Sequence, residues 1–91
     1  MKKLMFYDNK NTISEMLRQG RKQAGLSQGE LAAKMQTIGV SLDQQAISKI
    51  ENNTRIVTDF ELACFCHVLR LSPEDMLKKA MQLIEDEKAK P

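Results

Sequence analysis

The chain has 91 residues, 42% of them hydrophobic and 29% charged, with four Gly and two Pro; this is the make-up of one small globular domain with a limited core, and it excludes collagenous and low-complexity chains. The longest apolar run, LACFC at 62–66, falls far short of the roughly 20 residues of a membrane span, and the opening MKKLMFYDN lacks the apolar stretch of a signal peptide, so a cytoplasmic location with no membrane partner is expected. A net charge of +2 hides an asymmetry: residues 1–57 carry nine Lys/Arg against five Asp/Glu, and residues 58–91 carry five against seven, which leaves the front half basic and suited to an anionic partner.

Residues 1–11 form an N-terminal arm, for which the sequence leaves both a disordered basic segment and an ordered strand open. From there the chain reads as helix starts, each a side chain able to satisfy the unpaired amides of a first turn. Thr12 with Glu15 opens a first helix over about 12–24, which stops at Gly25, the residue best able to turn left-handed. Ser27 with Glu30 opens a second over about 27–36, with Leu31, Ala32 and Met35 on one face. The alternation in IGVSL, 38–42, is brief and holds Gly39, so it reads as a turn rather than a strand.

Asp43 can cap the amides of Gln45 or Ala46 and open a third helix. This helix has little to bury. Ile47 and Ile50, helped by Ala46, face inward, whereas Gln44, Gln45, Ser48, Lys49 and Asn52 are read as a polar arc without negative charge. Thr58 with Glu61 opens a fourth helix over about 58–70, with Leu62, Phe65, Cys66 and Leu69 as its inward stripe. Ser72 with Asp75, strengthened by Pro73 at the first helical position, opens a fifth that reaches toward the tail EDEKAKP. Its apolar stripe is wider than a five-helix core needs. A two-fold dimer contact is expected there, with Met76, Ala80, Met81, Leu83 and Ile84 as candidates, or a contact with another protein.

Cys64, Cys66 and His67 point in different directions on one helix and have no obvious fourth ligand, so neither metal nor cofactor is expected, and two thiols two residues apart are poorly placed for a disulfide. With one histidine, no glycine-rich phosphate loop and no nucleophile beside a base, no catalytic residue is named and an enzyme is not expected.

LSQGELAAKM, 26–35, followed by QQAISKIENNTR, 44–55, resembles the phage-repressor-like, xenobiotic-response-element type of helix-turn-helix family, over about residues 12–78. The resemblance implies an all-α, compact five-helix lambda-repressor-like domain at 12–80, with the helix-turn-helix at helices 2 and 3, and an extension and charged tail at 81–91. It implies double-stranded DNA as partner, with the third helix in the major groove. By position, Gln28 resembles a phosphate contact, Gln44, Gln45, Ser48 and Lys49 the base-facing set, and Asn52 and Arg55 backbone contacts. Arg21 and Glu51 match an ion pair between helices 1 and 3. QTIGVSLD, 36–43, is about four residues longer than the tightest turns of the family.

Glutamine suits this role chemically. Its planar amide carries donor and acceptor together and can pair with the N6 and N7 edge of adenine, worth roughly 1–3 kcal/mol of discrimination. The expected function is a sequence-specific DNA-binding transcriptional regulator, a dimeric repressor. The alternative is an antitoxin or anti-regulator that works mainly by holding another protein.

Overall fold

Residues 6–91 are described by a computed structural model, and their regular structure is five helices: α1 (Ser14–Gln23), α2 (Gln28–Thr37), α3 (Gln44–Glu51), α4 (Asp59–Leu69) and α5 (Pro73–Lys88). Four of them start on a side-chain cap. Ser27 and Thr58 each close a reciprocal capping box, with Glu30 and Glu61 respectively. Asp43 accepts from the Ala46 amide and Ser72 from that of Asp75. α1 is the exception and corrects the expectation for Thr12: Ile13 is its N-cap and no side chain caps it. The Asn11 carboxamide oxygen instead accepts from the Ile13 amide at 3.0 Å, which fixes the entry to α1 by a turn rather than a capping box.

The three front helices end alike. Gly25, Gly39 and Asn53 adopt φ of +72°, +90° and +61°, and at each its own amide and the next one fold back onto the last turn, as in Thr54 N–H to the Lys49 carbonyl at 2.8 Å. α1, α2, α3 and α4 enclose the core of Leu17, Leu31, Met35, Ile47, Ile50 and Phe65, with Met76 entering from α5.

The long connection between α2 and α3 is part of that core. Val40 and Leu42 are buried, and the intervening Ser41 is exposed. Extended backbone sends alternate side chains to opposite sides, so a few extra residues give two further apolar anchors beneath α3.

The residues at the N-terminal end are held down. Phe6 and Asn9 exchange both backbone hydrogen bonds across a tight reversal. Asn53, just past α3, accepts from the amides of Lys10 and Asn11 at 2.9 and 3.1 Å and donates to the Asn9 carboxamide oxygen at 2.6 Å. Asn11 in turn donates to the carbonyls of Ile50 and Arg55, both at 3.0 Å. Residues 6–11 of the arm thus form a staple on the C-terminal end of α3; residues 1–5 lie outside the described part.

Candidate nucleic-acid interface

α3 is held from beneath by carbon and from one flank by charge. Ile47 and Ile50 are fully buried. Beside them Glu51, also buried, receives Arg21 of α1 through two nitrogens, Nε to Oε2 at 2.7 Å and Nη2 to Oε1 at 3.0 Å. The remaining Arg21 nitrogen, Nη1, donates to the Leu26 carbonyl at 2.8 Å, so one guanidinium ties α1, the α1–α2 turn and α3 together. Burial, the largest single influence on Glu51, pushes its carboxyl up. The hydrogen bonds from Arg21 and Gln28 and the charges of Arg21 and Arg18 outweigh it and hold Glu51 below the usual carboxylate range.

Two further side chains serve this hub, one of them Gln28, expected at a phosphate. Gln28, on the first turn of α2, donates from Nε2 to Glu51 Oε1 at 3.2 Å. Arg18 donates to the Glu51 carbonyl at 2.9 Å, a cation at a helix C-terminus, where the macrodipole favours it.

The other side of α3 is open. Gln44, Gln45, Lys49 and Asn52 are exposed and Ser48 is half-buried. Gln44 lies toward α2: its Oε1 would stand 3.6 Å from a Cβ built on Gly29, so the first turns of the two helices share one face. The N-terminal end of a helix favours negative charge, and here those of α2 and α3 are neighbours. No carboxylate stands on the arc from Gln44 to Lys49; Asp43 is engaged as the cap of α3.

Arg55, expected as a backbone contact, has partners inside the domain. Its terminal nitrogens meet Glu61 at 3.0 and 3.1 Å, and Nη1 also donates to the Ile56 carbonyl at 2.9 Å, so the guanidinium turns into the domain and braces the segment between α3 and α4. Burial pushes Glu61 up most, but the Arg55 and Thr58 hydrogen bonds and the Arg55 charge carry it below the usual range.

Met76 is a second correction. Only 1% exposed, it packs in the monomer core with its Sδ 3.6 Å from Cys66 Sγ, and so stands inside the domain rather than at a subunit contact. Burial also pushes the Cys66 thiol up. Of the other dimer candidates Met81 and Ile84 are exposed, and Ala80 and Leu83 are half-buried. Among the described residues no group of three His, Cys, Asp or Glu side chains is arranged to hold a metal, and no helix is long and apolar enough to cross a membrane.

Residues 17–76, which hold α2, the connection and α3, are matched by a family model for the helix-turn-helix, of xenobiotic-response-element and lambda-repressor type. The chain belongs to this helix-turn-helix family. It is, in the general sense of that family, a regulator of transcription that binds double-stranded DNA, on a lambda-repressor-like all-α fold. No curated protein and no solved structure is significantly similar to it. The helix-turn-helix itself is legible in LSQGELA and ISKIE. The bracing of Arg55 by Glu61 and the asparagine staple were not, although an Asn directly after a helix is a recognised signal for a left-handed end.

Proposed function

We propose that this helix-turn-helix protein is a sequence-specific repressor that binds a pseudo-palindromic operator as a homodimer, with α3 of each subunit in the major groove. The observation that carries the reading is the exposed, acid-free arc of Gln44, Gln45, Ser48 and Lys49 on a helix whose opposite face is locked to α1 and α2. Gln45 and Lys49, both exposed, serve as base-edge contacts; Gln44, at the flank, reaches bases or phosphates next to α2. Gln28, on the first turn of α2, and Asn52, just past α3, contact the backbone, positioning contacts that carry no sequence information. A two-fold dimer sets two copies of α3 about 34 Å apart, one turn of DNA, and repression follows from occupying the site.

The test is selection of bound duplexes from a random pool, followed by binding to the selected site across a salt series. A palindromic consensus and a steep loss of affinity with salt are expected. Gln45→Ala should flatten preference at one base position per half-site by roughly tenfold, while Gln28→Ala weakens all sequences alike. Recovery of a random pool with no consensus would remove the sequence-reading role.

A further inference from the structure

The outer face of α5 has more to bury than its own domain covers. Leu77 is 60% exposed, Met81 64% and Ile84 37%, and they recur at the four- and three-residue spacing that makes one seam along a helix. The same face carries Glu74, Lys78, Glu85 and Lys88. Among the described residues none of these four has an ion-pair partner in the chain, although Glu87 nearby pairs with Lys90.

The order of these charges is informative, because it is self-complementary when reversed. Around Met81 the sequence of signs toward the N-terminus is Lys78 then Glu74, and toward the C-terminus it is Glu85 then Lys88. We propose that the second copy of this chain covers the face with its own α5, running antiparallel about a two-fold axis near Met81. In that register Leu77 packs on Ile84 of the second copy, the two Met81 side chains meet at the axis, and Lys78 faces Glu85 while Glu74 faces Lys88, each pair formed twice.

A parallel arrangement fails on the same residues. It sets Glu74 against Glu74 and Lys88 against Lys88 along the seam, like charges in contact, and leaves Lys78 and Glu85 without their complement. α5 has 16 residues, about 24 Å of helix, long enough to hold every pair. Lys78 and Glu85 lie on the same flank of the seam, and in an antiparallel two-fold it is equal flanks that face one another. The inference rests on the dimer proposed above and adds its orientation, its register and the residues that set them.

The experiment is a charge-reversal cycle read by sedimentation equilibrium of the full chain, with circular dichroism and binding to a single half-site as checks on folding. Lys78→Glu and Glu85→Lys should each weaken dimerisation at least tenfold, and the double variant should return to within about threefold of wild type, since each reversed charge again meets its opposite. Met81→Asp should abolish the dimer while half-site binding persists. If the double variant is as weak as the singles, or the singles dimerise normally, the antiparallel register is overturned even where Met81→Asp still disrupts the dimer. A wild type that stays monomeric at high protein concentration overturns the dimer and the register together, and leaves half-site DNA reading standing.

Discussion

Arg21 and Glu51 meet through two parallel hydrogen bonds, 2.7 and 3.0 Å long, which fasten α3 to α1 on the flank next to α2. A pair that fits a planar guanidinium to a planar carboxylate sets orientation as well as distance. Ile47 and Ile50 alone would let a helix of eight residues slide or roll. The pair prevents this, and the exposed arc therefore holds a fixed direction relative to the first turn of α2.

Removing one partner should be far worse than removing both. Glu51→Ala leaves Arg21, its side chain only 11% exposed, without its counter-charge and is expected to cost about 3 kcal/mol in urea denaturation. Replacing both by apolar residues, Arg21→Met with Glu51→Leu, should bring stability back close to that of wild type or above it. A single variant as stable as the double would show that the pair does not organise α3.

Acid should act chiefly through the two buried carboxylates. Glu51 and Glu61 are both held below their ordinary value of 4.5, so as pH falls the unfolded chain takes up their protons first. Their contribution is complete above that value and is lost as pH drops through the lowered native values. The denaturation midpoint should therefore be level from neutrality to about pH 5 and then fall. Glu61→Gln, which also loses the charge facing Arg55, should lower the plateau and make the acid fall shallower; an unchanged acid limb would deny Glu61 this part.

Asn53 combines a backbone role and a side-chain role that two substitutions separate. Asn53→Ala puts a strained left-handed residue at φ +61° and removes the hydrogen bonds to Asn9, Lys10 and Asn11, for an expected loss of about 2 kcal/mol. Asn53→Gly relieves the strain and should lose about half as much. Amide exchange at Lys10 and Asn11 should accelerate in both variants, and protection that survives in the glycine variant would rule out the staple.

The connection before α3 should behave as core. Leu42→Ala is expected to cost about 2–5 kcal/mol, whereas Ser41→Ala, on exposed backbone next to it, should stay within about 0.5 kcal/mol. Equal effects would mean that the added residues are ordinary loop.

The caps at Ser27, Asp43, Thr58 and Ser72, the turn at Gly25 and the inward stripes of α2, α3 and α4 were all readable from the chain. Each is settled between residues at most five apart, where the backbone fixes who can meet whom. Thr12 shows the limit of that reasoning, since Asn11 lies next to it and offers the α1 entry another acceptor, one already drawn toward Ile50 and Arg55.

Sequence by itself determined five helices, their order and the polar character of the α3 arc, because periodicity and capping are local. Tertiary structure alone decided that Met76 faces the core while Met81 does not, that Arg55 is taken by Glu61, and that Val40 and Leu42 sit beneath α3. It also decided that Asn53 binds residues more than forty positions away. A wide apolar stripe or an unpaired arginine admits several neighbours, and which one it gains depends on how separate helices close around a shared core.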